Sequence, residues 1–259
     1  MQAITITSAL GDAILDHARD AFPAECCGLV IDAGAGAGPE YVRCRNDAEG
    51  DAAQDRFVLN KFDWVAAEDR GTVLAIVHSH PNASANPTDA DLHMCERTNL
   101  PWVIIGYPSG VITQTLPKGE RLPLVGRAFH HGVVDCYTLV QDYYHERLGI
   151  DLPDFEREDE WWKPGPDGQP GQNLYMSNLA RAGFVLRPAG AEPQPHDMVL
   201  MAILSDQTNH AAIMDAERPG LILHHLHGRL SRHDVWGGSW REHTTHICRH
   251  SLVEEVAHV

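Results

Sequence analysis

The sequence is short of positive charge, of long apolar runs and of any ordered cysteine framework, and each shortage excludes a class of protein. Lys and Arg number 20 against 36 Asp and Glu, a formal charge of -16. Nucleic-acid backbones are bound chiefly through Lys and Arg, so DNA or RNA is not an expected partner. The plainest meaning of the acidity is solubility. Apolar stretches such as Val73 to Val77 and Val103 to Ile105 have strand length. Since a membrane helix needs about 20 apolar residues, no span is expected. The cysteines Cys26, Cys27, Cys44, Cys95, Cys136 and Cys248 stand at no framework spacing. That predicts reduced thiols and synthesis in the cytosol. The opening Met1 to Thr7 has no basic region followed by an apolar one, so no secretory signal is expected. Neither an internal repeat nor a low-complexity tract is present.

What is there suits a soluble globular chain: 259 residues, 43% of them hydrophobic, enough for one large domain or two ordinary ones. Ser8 is a candidate N-cap for an amphipathic helix with Ile14, Ala18 and Phe22 on one stripe, ended by Pro23. Strands are predicted over Cys26 to Ile31 and Tyr41 to Arg45, joined by a glycine-rich turn. Asn60 caps a short helix containing Phe62, Val65 and Ala66. Thr72 to Val77 reads as a strand buried on both faces, Thr88 to Arg97 as a helix capped by Thr88, and Trp102 to Gly106 and Val111 to Leu116 as closing strands. Further on come a helix, Asp135 to Leu148, a Trp-rich loop through Trp161 and Trp162, and strands over Met198 to Leu204, Ala211 to Met214, Gly220 to Leu223 and Thr245 to Cys248. This order predicts two α+β domains, 1–117 and 124–259, with 118–123 as the linker.

Two histidines, His78 and His80, stand at i and i+2 at the end of a predicted buried strand. That spacing puts both imidazoles on one face, close enough to share an ion. Asp91, in the first turn of the next helix, supplies a third ligand, leaving a fourth position for water as in a catalytic zinc site. Such a metal lowers the pKa of a bound water to about 7. The chemistry also needs a base, for which Glu25 is the candidate. With 17 histidines in the chain, roughly one His-x-His arises by chance, so the pair alone says little. The whole string says more: Glu25 upstream, His78-Ser79-His80, seven residues, Thr88, two residues, Asp91. It resembles the signature of the JAMM (MPN-domain) metallopeptidases over about residues 3 to 116, as does Pro23-Ala24-Glu25-Cys26-Cys27-Gly28-Leu29. The resemblance implies a mixed β-sheet with flanking helices, Zn2+ held by His78, His80 and Asp91, Glu25 as base, and Thr88 in the place of a serine that steadies the oxyanion. Asp89 reads as a solvated helix-start residue, and Cys95, one turn past Asp91, as a small core hydrophobe.

Cys136 follows Asp135 at the start of a helix, where the dipole favours thiolate over thiol. A cysteine nucleophile needs a neutral histidine beside it and a polar group to orient that histidine. His210 opens one predicted strand and His224-His225 ends the next, and antiparallel pairing would join the two clusters. The pattern resembles the NlpC-type peptidases over about residues 123 to 259. That implies a papain-like α+β domain with Cys136 as nucleophile, His210 as general base and His224, or else His225, as the orienting residue. Two departures stand out. Asp-Cys-Ser-Gly reads Asp135-Cys136-Tyr137-Thr138 here, and the upstream aromatic that borders the oxyanion site has no clear match, leaving Arg127, His131 or neither as its substitute.

The two halves in this order, with Asp159-Glu160-Trp161-Trp162, Gly171-Gln172-Asn173-Leu174-Tyr175 and Ile247-Cys248-Arg249-His250, resemble the tail tip assembly proteins of lambda-like bacteriophages. For Trp161, Trp162 and the Asn-Leu-Tyr segment the physical reading is packing. The resemblance implies a bifunctional hydrolase with other tail tip proteins and peptidoglycan stem peptides as partners. It would be present in the host cytoplasm during assembly and then in the virion tail tip, delivered to the cell wall. The alternative is a structural assembly factor in which one or both centres are inactive. A metal store is disfavoured, because three ligands leave the site open.

Overall fold

A computed structural model describes residues 2–34, 36, 38–48, 50–165 and 168–253. The chain forms two compact units, Met1–Arg121 and Leu122–Val259.

The first unit opens with α1 (Ser8–Ala21). Its N-cap is Thr7 rather than Ser8: Thr7 is extended and its side chain accepts from the Leu10 amide at 3.2 Å, while Ser8 is already helical. Leu10, Ile14 and Ala18 form the buried stripe. Phe22, expected to extend it, is the C-cap and is 42% exposed, because the chain leaves the helix ahead of Pro23. The strands are β1 (Cys27–Asp32), β2 (Pro39–Cys44), β3 (Thr72–Pro81), β4 (Trp102–Tyr107) and β5 (Ile112–Thr115), in the order β2-β1-β3-β4-β5. Only the β3–β4 pairing is parallel, so the sheet is mixed.

The pleat sends alternate residues to two apolar layers. On one face Val30, Ala75, Val77, Val103 and Ile105 pack against α1. On the other, Leu29, Ile31, Ile76 and Trp102 meet Ala67 of α2 (Lys61–Glu68) and Cys95 of α3 (Asp89–Thr98). Asn60 caps α2 by accepting from the Phe62 and Asp63 amides. Gly28 in β1 is a close-approach glycine: a Cβ there would lie 2.4 Å from the Val42 carbonyl oxygen and 2.7 Å from the Tyr41 hydroxyl. Among the described residues no helix is long and apolar enough to cross a membrane.

The second unit holds α4 (Cys136–Leu148), capped by Asp135 and ended by Gly149 at φ 65°, where a side chain would be strained. Then come α5 (Leu174–Asn178), β6 (Phe184–Leu186), β7 (Met198–Met201), β8 (His210–Met214), β9 (Leu221–His224), β10 (Arg232–Val235), α6 (Ser239–His243) and β11 (Thr244–His250). The sheet runs β10-β9-β8-β7-β11-β6 and is antiparallel throughout. Leu200, Ala211, Ile213 and Leu223 share a core with Tyr137, Leu139, Val140 and Tyr143 of α4. Val199, Met201, Ala212, Met214 and Ile222 pack on the other side with Trp236 and Trp240.

The strand expected to reach Leu204 stops at Met201. The Asn209 side chain accepts from the Ile203 amide at 2.8 Å and donates to its carbonyl at 3.0 Å, turning the chain and leaving Leu204 99% exposed. No sequence expectation covered β6, β10, α5 or α6, which are three to five residues long. Such elements are too short for a periodic pattern to register.

Candidate functional site

In the first unit β3 delivers His78 and His80 onto the α2–α3 face, their ring centroids 4.9 Å apart. Asp91 arrives from the first turn of α3. His78 Nε2 lies 3.0 Å from His80 Nε2 and 3.1 Å from Asp91 Oδ1, and His80 Nε2 lies 3.3 Å from Asp91 Oδ2. Zn–N and Zn–O bonds of about 2.0–2.1 Å set at tetrahedral angles place neighbouring ligand atoms about 3.3 Å apart; here one atom from each residue lies within 4.8 Å of the others, close enough to converge on one ion. All three residues are buried. Two imidazole nitrogens and a carboxylate so close together, out of water, repel one another unless a proton or a cation sits between them.

Neighbouring groups hold the donors in place. His80 Nδ1 lies 2.8 Å from the Ser84 carbonyl oxygen. A carbonyl only accepts, so Nδ1 carries the hydrogen and the lone pair is left on Nε2, as a metal ligand requires. His78 stacks on Phe57 at 4.8 Å and meets the edge of Trp102 at 5.3 Å. Asp91 Oδ2 accepts from the Thr88 amide at 2.7 Å and from the Thr88 hydroxyl at 2.8 Å, closing a capping box. Burial alone would raise the Asp91 carboxyl, but the imidazoles of His78 and His80 and the Thr88 amide together hold it far below its ordinary range. Thr88, whose hydroxyl was expected to steady an oxyanion, here donates that hydroxyl to the Asp91 carboxylate.

Glu25 precedes β1, whose Cys27 pairs with His78. Cys26 and Ser79 are joined by the Ser79 amide to the Cys26 carbonyl, and by the Cys26 amide to Ser79 Oγ at 2.8 Å. The same register continued one residue sets Glu25 beside His80. Its side chain is 5% exposed, and burial first, then the charges of Asp91 and Asp55, push its carboxyl up to about 9. Cys95 stays in the core, its thiol 3.3 Å from the Leu100 carbonyl, outside the ligand set.

In the second unit Cys136 is the first residue of α4. Asp135 Oδ1 accepts from the amides of Tyr137 and Thr138, both at 3.0 Å, and Arg157 Nε meets Asp135 Oδ2 at 2.7 Å. The helix N-terminus was expected to favour thiolate. Burial first and the Asp135 carboxylate second push the thiol instead up to about 11, against the pull of Tyr175, the Ala211 amide and Arg157. The thiol meets the Tyr175 hydroxyl at 3.1 Å, and among the described residues it has no hydrogen bond to His210. Tyr175 thus borders the Cys136 sulfur, a position the Asn-Leu-Tyr segment did not announce. Arg127 and His131, the two candidates for the missing aromatic's place, each have partners of their own. Arg127 is paired with Asp142 at 2.6 Å in the interior, and His131 Nε2 lies 2.8 Å from the Glu158 carbonyl.

His210 Nε2 meets His224 Nδ1 at 3.2 Å, and His224 Nε2 meets Asp234 Oδ2 at 3.1 Å. His225 stands outside this row of hydrogen bonds, fully buried beside Phe129. Desolvation, with the nearby imidazoles of His224 and His225, lowers His210 to about 3, so its ring is neutral at pH 7. Asp234 was missed because the four-residue β10 that carries it was not anticipated.

Comparison with known proteins follows the same division. A family model of prokaryotic homologs of the JAB domain matches residues 7–117, and the NlpC/P60 family model matches residues 126–249. Tail tip assembly protein K of Escherichia phage N15 is 40% identical over 244 residues, covering 93% of this chain and 94% of its own length. Tail tip assembly protein K of Escherichia phage lambda is 40% identical over 193 residues, covering 74% and 89%. A solved JAB1/MPN domain protein from Archaeoglobus fulgidus aligns at 24% identity over 44% of this chain and 88% of its own, with a TM-score of 0.30. The chain belongs to the tail tip assembly protein K family of phages, with a JAB-type domain followed by an NlpC/P60 domain.

Proposed function

We propose that the protein is a bifunctional tail tip hydrolase. Its JAB-type half acts as a zinc-dependent peptidase or isopeptidase on a partner protein of the tail. Its NlpC/P60 half acts as a cysteine endopeptidase on peptidoglycan stem peptides, during host entry or tail assembly. The observation that carries the reading is that each unit assembles its own hydrolytic donor set. Three ligand atoms lie within 4.8 Å of one another in the first, and an imidazole chain runs to Asp234 in the second. On this reading the chain is made in the host cytoplasm, joins other tail tip proteins, and reaches the wall with the particle.

In the first unit His78, His80 and Asp91 would hold zinc. When bound, zinc supplies a Lewis acid and acidifies a coordinated water. Thr88 keeps the Asp91 carboxylate aimed, and Glu25 takes up a proton and returns it to the leaving amine. A cation among the ligands would offset the burial and the Asp91 charge that raise Glu25, so its competence as a base is tied to loading.

In the second unit the Cys136 sulfur attacks the scissile carbonyl carbon while His210 takes the thiol proton. That proton passes to the departing amine nitrogen as the C–N bond breaks. Water then cleaves the thioester, giving a free carboxylate and regenerating the thiol. A second reading, a structural assembly factor whose cysteine centre is silent, is favoured by the Cys136–Tyr175 contact and the raised thiol.

Digestion of purified peptidoglycan by the full chain and by the Cys136→Ala variant decides between them. The first reading expects stem-peptide release to vanish with the thiol; equal release from both sinks it. Chelation should leave that release intact, and zinc content near zero in the untreated protein would remove the metal half.

A further inference from the structure

The chain His210–His224–Asp234 carries information that the identities of its members do not. β8, β9 and β10 lie side by side, and the register sets His224 opposite Ala212 on one neighbour and opposite Arg232 on the other. His210 is two residues before Ala212 and Asp234 two residues after Arg232, so the three side chains step diagonally across one face of three adjacent strands. Arg232 closes the far end, with Nη2 at 2.7 Å and Nε at 3.1 Å from the same Asp234 Oδ2 that meets His224. Trp240 covers the chain, its ring centroid 4.5 Å from that of His224 and 6.4 Å from that of His210.

An ionised carboxylate held by a guanidinium can only accept. His224 Nε2 must therefore carry a hydrogen and donate it to Asp234. His224 is neutral, since desolvation lowers its pKa against the opposing pull of Asp234. With one hydrogen spent on Nε2, its Nδ1 is a bare lone pair that can only accept. His210 Nε2 must then carry the hydrogen of that contact, which leaves His210 Nδ1 unprotonated. We propose that Asp234, fixed by Arg232, is a positioning residue that sets the tautomers of His224 and then His210, so that His210 presents an unprotonated Nδ1 as the general base. This rests on the cysteine peptidase reading for its purpose; the tautomer assignment itself rests on the hydrogen-bond geometry together with a neutral His224. With Asn at 234 the terminal group can donate as well as accept, and the chain can run in either direction.

Long-range 1H–15N correlation spectra of the uniformly 15N-labelled full chain at pH 7 read the tautomers directly. Signals are assigned by their loss in His210→Gln and His224→Gln. Both residues are expected as Nε2–H forms. Finding either one as the Nδ1–H form overturns the inference, whatever the fate of the peptidase reading. Asp234→Asn is expected to give a mixture of tautomers at His210 and to lower kcat for stem-peptide release from purified peptidoglycan by about ten- to a hundred-fold with little change in KM. Asp234→Glu should restore most of both. An Asp234→Asn protein that keeps both tautomers and the full rate also overturns it. Should release prove independent of Cys136, the peptidase reading fails while the tautomer result is still read from the spectra.

Discussion

Replacing Arg157 with Met tests how the nucleophile's helix is held. Arg157 and Asp135 expose 6% and 2% of their side chains and meet at 2.7 Å. The same guanidinium reaches Asp135 Oδ1 and Thr138 Oγ1, each at 3.3 Å, and Asp154 Oδ1 at 3.0 Å. Met keeps most of the apolar stem and removes the fork, leaving a buried carboxylate without its cation. Removing one partner of a buried pair costs about 3–5 kcal/mol. Asp135 keeps three backbone donors, the amides of Gly132, Tyr137 and Thr138. These put the expected loss at the lower end, about 3 kcal/mol, or about 10 °C in Tm for a unit of this size.

Thermal and urea unfolding followed through the near-ultraviolet signal of Trp161 and Trp162 measures that loss. A change under about 0.5 kcal/mol would refute the account. Adding Asp135→Asn should recover most of it, because both charges are then gone and Asn still caps the helix. The pH dependence has a definite sign. Burial alone would raise Asp135, but Arg157 outweighs it and the folded-state pKa is depressed. The wild-type pair therefore contributes stability above the unfolded carboxylate value of about 3.9, and that contribution fades as pH falls through the depressed folded value. In Arg157→Met burial prevails and the pKa rises, so the difference between the two proteins should begin to shrink as pH falls through that raised value and go on shrinking below about 4 as the wild-type contribution fades.

The Cys136 thiol, raised to about 11, should be alkylated by iodoacetamide at a rate rising about tenfold per pH unit from 7 to 10. A plateau already present at pH 6, read by peptide mass spectrometry, would mean a preformed thiolate–imidazolium pair. Tyr175→Phe removes a bond that lowers that pKa, so alkylation at pH 9 should slow by less than about tenfold; acceleration would contradict the role given to the hydroxyl. Thr88→Val should cost about 1 kcal/mol through the lost cap and weaken zinc binding about ten- to a hundred-fold. Thr88→Ser should do neither, and equal affinities for all three proteins in a competition titration with a zinc indicator would remove Thr88 from the ligand shell.

The sequence by itself determined what short-range periodicity can encode. A two-residue spacing on a strand is enough to turn His78 and His80 to one side, and Asp135 ahead of an apolar helix is enough to set Cys136 at its first turn. Tertiary structure decided what depends on distant segments. Asp91 reaches the histidines only because α3 packs on the same face of the sheet as Ala67 of α2. His224 rather than His225 meets His210 because His224, the last residue of β9, stands on the face of the sheet that carries His210, while His225 lies past the strand's end beside Phe129. Asp234 and Tyr175 lay out of reach for the same reason: a four-residue strand and a five-residue helix leave no periodic trace, yet their neighbours in space are a base and a thiol. The thiol's ionisation likewise depends on more than its place in the helix: burial and the Asp135 carboxylate raise its pKa, and burial belongs to everything packed around the sulfur.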